Sequence, residues 1–228
     1  MHKFGIFALA ALLFSGCTSE EKRSLVQKLA NRYKATVSIQ TGINKTSRKD
    51  DYDGRYVAAL IKNPQGMTPE KLGDLRFPAT ACAHELFQLY ERGGTGGYDY
   101  YQVAFQIGNE THKFTFPASD MPVYSAELAK LHRVLRSLTT SDYNPALFDN
   151  QYIKADSKKF HRLLQGTDTT KAALLGFITS QKDGQKFVAA KYFLQKDSIT
   201  LHLTLVTKVG KTTHPVVGAT IGAQRITY

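Results

Sequence analysis

The chain has no tryptophan, only two cysteines in 228 residues, and 19 acidic side chains against 30 lysines and arginines. Each shortage excludes something. Two cysteines, Cys17 and Cys82, cannot build the disulfide framework on which many small secreted domains depend. The fold must therefore stand on a hydrophobic core, which 42% hydrophobic residues, 12 tyrosines and 13 phenylalanines can supply. No apolar run reaches the roughly 20 residues that a membrane-spanning helix needs. There is no internal repeat, no low-complexity linker, no Gly-x-Ser-x-Gly elbow, and no Ser-x-x-Lys with its partner motifs.

What is present begins at the front. Lys3 is the only charged side chain among the first sixteen residues, and Phe4 to Phe14 is apolar. A short apolar core behind a basic start reads as a signal peptide, residues 1–16, and not as a membrane helix. Next comes Phe14-Ser15-Gly16-Cys17. This resembles the lipobox of bacterial lipoproteins processed by signal peptidase II, with Phe14 in place of the usual Leu or Val. The resemblance implies cleavage before Cys17 and attachment of a diacylglyceryl group to its sulfur. Several acyl chains hold a protein at a membrane stably, at about 0.8 kcal/mol per buried methylene. Thr18, where a sorting signal for the inner membrane would place Asp, implies the outer membrane. Ser19-Glu20-Glu21 loosely resembles the acidic export tag of surface lipoproteins, while Thr18-x-x-Glu21 also fits a capping box.

If Cys17 carries lipid, Cys82 stands alone and no intrachain disulfide forms. The net charge of +11 draws the chain toward anionic partners. Its cations are dispersed, as in Lys45, Arg48 and Lys49, or Lys130, Arg133 and Arg136, or Lys158, Lys159 and Arg162, with no block of five or six. In an envelope protein the expected partner is an anionic lipid or glycan surface, and not nucleic acid.

Periodicity organises the remainder. A helix is expected over 19–33, with Leu25, Leu29 and Tyr33 on one stripe. Strands follow at 35–43 and 55–62. Thr68-Pro69-Glu70 starts a short helical turn, Pro78 breaks it, and a main helix runs from 78 to 92. The alternating 98–107 and 112–116 form a hairpin about Gly108-Asn109. Ser119-Asp120 opens a helix with Tyr124, Leu128, Leu131 and Leu135 on one face. Segment 139–156 lacks a period and is the expected connection. Beyond it come a short basic helix at 157–165 and strands at 173–181, 186–194, 199–207 and 212–221.

Local joining predicts an α+β fold with mostly antiparallel sheets and helices on one face. It falls into two modules, 17–138 and 157–228. The element order of 156–221 distantly resembles the cystatin-like and nuclear-transport-factor-2-like pattern, a resemblance that carries no function.

Five clusters invite a chemical reading. Cys82-Ala83-His84-Glu85 pairs a thiol with a histidine, but residues two apart on a helix do not face each other, and a core cysteine is expected. His84-Glu85-Leu86-Phe87-Gln88 lacks the second histidine of a zinc-protease helix. Asp50-Asp51-Tyr52-Asp53-Gly54 misses the first and twelfth ligands of a calcium loop. Gly93-Gly94-Thr95-Gly96-Gly97 follows a helix and has no Gly-Lys-Ser/Thr ending, unlike a phosphate loop. Tyr98, Tyr100 and Tyr101 beside it are candidate ligand-stacking residues, although tyrosine is also simply favoured in strands. His132, His161, His202 and His214 show no ligand spacing. No metal and no cofactor are expected.

The function expected from these features is a membrane-anchored, non-catalytic binding or assembly role. The alternatives are a hydrolase of envelope polymers or a carrier of a small apolar ligand in the C-terminal module.

Overall fold

The computed structural model describes residues 19–45, 52–65, 74–92, 96–149, 151–167, 172–196 and 199–225. The export segment, Cys17, Asp50, Asp51, the Thr68-Pro69-Glu70 turn and Gly93-Gly94-Thr95 lie outside them. The fold is α+β, with four helices and two four-stranded sheets.

The first half begins with α1 (Ser19–Tyr33), β1 (Thr36–Asn44) and β2 (Gly54–Lys62). It continues through α2 (Arg76–Arg92) to β3 (Tyr100–Ile107) and β4 (Glu110–Pro117). Its sheet runs β1-β2-β3-β4. Alternation sends Val37 and Ile39, Val57, Ala59 and Ile61, and Tyr101, Val103 and Phe105 into one core with Leu25, Leu29 and Tyr33 of α1. Pro78 does not break α2. It falls in the first turn of a helix starting at Arg76, where a missing N–H costs nothing.

Local joining predicts antiparallel pairs, and the sheets are mostly so. The exception is β2 with β3, which pair in parallel, Val57 opposite Tyr101 and Ile61 opposite Phe105. The physical reason is the connection. Residues 63–99 hold a whole helix, and a parallel pair needs a crossover of that length.

The second half has α3 (Met121–Thr139), α4 (Gln151–Leu164) and the strands β5 (Ala173–Lys182), β6 (Gln185–Lys196), β7 (Ile199–Lys208) and β8 (Val216–Arg225). These strands form an antiparallel meander in chain order. Asp183 and Gly184 both have positive φ, 51° and 73°, as a two-residue hairpin turn with the right twist requires. Leu128, Leu131, Leu135 and Leu138 of α3 pack with Phe148, Leu164 and the inward residues of β6 and β7. The two cores thus divide inside α3, not in segment 139–156: Met121 belongs to the first and Leu128 onward to the second. Helix α4 starts at Gln151, within the segment expected to connect.

Glu127 fastens α3 to the end of β7. Its carboxylate is 2% exposed and accepts bonds from Lys130 Nζ at 2.7 Å, Thr207 Oγ1 at 3.1 Å and Gly210 N at 3.0 Å. A buried charge held this way is tolerable only because its acceptor sites are filled.

The halves meet where the start of α2 lies against β5. Gly176 sits so close to α2 that a Cβ there would fall 1.7 Å from the Phe77 carbonyl oxygen. Beside it the Phe177 N–H donates to Thr80 Oγ1 at 3.0 Å. The Thr80 hydroxyl faces two carbonyls, Phe77 O at 2.7 Å and Phe177 O. A register shift between Leu174 and Gly176 bends β5 at this point, as a bulge does. Gly176→Ala should lower unfolding free energy by at least about 3 kcal/mol, since overpacking against fixed backbone gives no room to relax. Urea denaturation checks this; wild-type stability in the variant would mean the contact is not fixed.

Candidate functional site

Beside that junction the helices leave a cleft of about 440 Å³. Helical spacing delivers most of its walls. On α1, Lys28 and Arg32 are four residues apart, flanking the buried stripe of Leu25 and Leu29. On α2, His84, Glu85 and Gln88 line it; on α3, His132, Leu135 and Arg136 do. Leu174 of β5 and Tyr192 of β6 complete it. Residues four apart on a helix share a face, so each helix turns one polar edge toward the same space.

The charges do not balance. Glu85 is the cleft's one carboxylate, and both α1 cations hold it. Arg32 Nη2 lies 2.5 Å from Oε1 and Lys28 Nζ lies 3.2 Å from Oε2. The Lys28 contact pairs charge, and buried Oε2 has no hydrogen-bond donor among the described residues. Arg136 has no acidic partner among the described residues. With the imidazoles neutral, three cations face one anion, a surplus of two positive charges.

His84 is 8% exposed, and its Nε2 is 2.8 Å from Ser125 Oγ. Burial pulls its pKa down to about 4, with the Glu85 carboxylate opposing the shift and His132 reinforcing it. At neutral pH it is an uncharged imidazole. The Tyr192 ring meets the His132 ring edge-on at 5.7 Å. Its hydroxyl is buried and has no hydrogen-bond partner among the described residues. Burial pushes the phenol well above its usual range, so it remains a neutral donor, and one left idle at the cost of its desolvation.

The clusters singled out in the sequence fare differently. Cys82 is fully buried in the first core, and burial, with the Glu85 charge adding, raises its thiol far out of the nucleophilic range. His84, two residues on, faces the cleft instead. Tyr98, Tyr100 and Tyr101 do not share a surface. Tyr101 is 1% exposed and packs edge-on with Phe87. Tyr100, also 1% exposed, points to the opposite face between Tyr52 and Tyr56. Tyr98 is half-buried against Tyr90, with the Arg55 guanidinium 5.0 Å above its ring.

Of the scattered histidines, the structure brings only His132 to His84. His161 stacks on Tyr143 and bonds the Leu138 carbonyl. His202 meets Phe193 on the outer face of the second sheet. His214 turns to the Ala146 carbonyl. Among the described residues no three of His, Cys, Asp or Glu converge as metal ligands, and no helix is long and apolar enough to cross a membrane.

Sequence reasoning missed Lys28, Arg32, Gln88, Arg136 and Tyr192. Lys28 with Arg32, and His132 with Arg136, are four-residue polar pairs beside apolar stripes, a legible signal. That these edges meet is not legible. Comparison with family models, with curated proteins and with solved structures found no match for the chain.

The depressed His84 has a stability signature. Above pH 6.5 the group is neutral folded or unfolded. As pH falls from 6.5 toward about 4, the unfolded chain takes the proton first, so folded stability declines through that window, by up to about 3 kcal/mol. Comparing unfolding of wild type and His84→Gln from pH 7 to pH 4 should show a flatter profile in the variant. Parallel profiles would contradict the burial of this imidazole.

Proposed function

We propose that the protein is a lipid-anchored envelope protein with a non-catalytic binding role, and that its ligand is anionic and sits in the cleft between α1, α2, α3 and the β5–β6 edge. The surplus of two positive charges in that cleft carries this. A concave site where basic side chains outnumber acids raises the local concentration of anions. Arginine is suited to the work, because its planar fork matches oxyanions and stays charged when partly buried. Support for the anchor comes from the Phe14-Ser15-Gly16-Cys17 motif and from where α1 begins, two residues past Cys17.

The anion reading is tested by thermal unfolding with sulfate or citrate against chloride at equal ionic strength. The multivalent anions should raise the wild-type midpoint by several degrees, and Arg136→Gln should abolish the rise. Arg136 is exposed and its side chain makes no hydrogen bond or ion pair among the described residues, so the variant should fold as the wild type does. An equal rise in both proteins would place the anion elsewhere. For the anchor, cells fed labelled palmitate should label the wild type and not Cys17→Ser, with globomycin blocking maturation; an unlabelled wild type would overturn the address.

A hydrolytic second reading draws on the Ser125 Oγ to His84 Nε2 contact of 2.8 Å, a serine beside a neutral imidazole. Two features weigh against it. Glu85 is committed to Lys28 and Arg32 and does not orient the ring, and Ser125 does not line the cleft. The apolar-carrier reading draws no support from the C-terminal core, where the α3 leucines, Phe148 and Leu164 fill the sheet's inner face.

A further inference from the structure

Three observations about the cleft converge. Its charge surplus is two, from Lys28, Arg32 and Arg136 less Glu85. A carboxylate or a phosphodiester carries one negative charge and would leave a cation uncompensated, whereas a phosphate monoester carries about −1.5 to −2 at neutral pH. The donors are also spread over two helices, α1 and α3, and strand β6, and they differ in kind. Guanidinium and ammonium come from α1, a second guanidinium from α3, and the Tyr192 hydroxyl, without a partner among the described residues, from β6. That suits an oxyanion with three terminal acceptor oxygens better than a flat carboxylate.

The third observation is a path. A groove of about 320 Å³ runs between α1 and α2 from Glu21 and Ser24. It shares Lys28, Glu85 and Gln88 with the cleft, so the two form one trough. The trough's outer end lies in the first turn of α1. Cys17 is two residues before Ser19, within about 7 Å of chain, so an acylated Cys17 would hold that end at the lipid surface. From there to Lys28 and Arg32 is nine to thirteen residues of helix, roughly 14–20 Å. Leu25 and Leu89 line the groove and give it an apolar side along which a lipid chain can lie.

We infer that the cleft is a phosphate-monoester site, and that the phosphate it takes is the headgroup of a lipid entering along the α1–α2 groove from the anchored end. This rests on the anchored, anion-binding function proposed for the protein. Tyr192 then has a role in binding and not in folding. Its hydroxyl has no partner among the described residues and acquires an acceptor when phosphate is present.

The test uses the full acylated protein in phosphatidylcholine vesicles doped with a photoreactive phosphatidic acid. Phosphatidylglycerol vesicles of matched surface charge, and phosphatidylcholine alone, carry the same photoreactive group. Crosslinks to phosphatidic acid should map by mass spectrometry to residues 21–28 and 85–89. They should exceed those to phosphatidylglycerol at least fivefold and fall with added inorganic phosphate. Arg136→Gln and Arg32→Gln should each cut labelling about tenfold, while Arg133→Gln, an exposed cation outside the cleft, should not. Tyr192→Phe should bind less but unfold at a higher temperature, a split that a structural role would not produce. Equal labelling by both anionic lipids would overturn the monoester assignment. Displacement of no lipid by phosphate, with sulfate or citrate still raising the unfolding midpoint, would overturn the lipid source yet leave the anion cleft standing. No effect of any anion would sink both.

Discussion

The approach of β5 to the backbone of α2 governs the rest of the structure. Glycine at 176 lets the Phe77 carbonyl come within a distance that any side chain would occupy, and the Thr80 hydroxyl takes up the backbone groups exposed by the bend of β5. Each half has a core of its own, so neither needs the other to bury its apolar surface. Their relative placement is set by this contact together with α3, which runs from one core into the other. Its consequence is the cleft, since α1 and α2 come from one half while α3, β5 and β6 come from the other.

Inside the cleft the protein keeps groups that a folding optimum would remove. A phenol hydroxyl with no partner among the described residues, an incompletely satisfied carboxylate and an imidazole forced to be neutral all cost stability. Contrast Glu127, equally buried but bonded on every side. The one site is finished and the other is open, on the same helix system and a few turns apart. Stability given up locally in this way is the usual mark of a place where something binds.

Much of the fold was legible. Apolar stripes gave α1 and α3, Pro78 and the glycines after Arg92 bounded α2, and the strand pattern gave eight strands to within a few residues. The losses have physical causes. Nothing local distinguishes a strand pair joined by a helix from one joined by a hairpin, so the parallel β2–β3 pair was hidden. Helix α4 starts in a run whose apolar residues, Tyr152 and Ile153, precede a charged stretch, so its first turn showed no stripe. Strand β8 begins at Val216 and not at 212 because Pro215 and the positive φ of His214 turn the chain first. The site was less legible than the fold. Tyr98, Tyr100 and Tyr101 drew attention as a cluster in sequence, yet strand alternation sends neighbours to opposite faces. Lys28, Arg136 and Tyr192 are far apart in the chain and gain meaning only from the junction at Gly176.

A phosphate that enters the cleft lies beside His84 and His132, and side-chain imidazole resonances report on that directly. Two-dimensional nitrogen-15 spectra of histidine-labelled protein, titrated with inorganic phosphate at constant ionic strength and pH, should show saturable shifts of His84 and His132 while His161, His202 and His214 stay in place. Shifts of equal size at all five, or none at the two cleft residues, would contradict it.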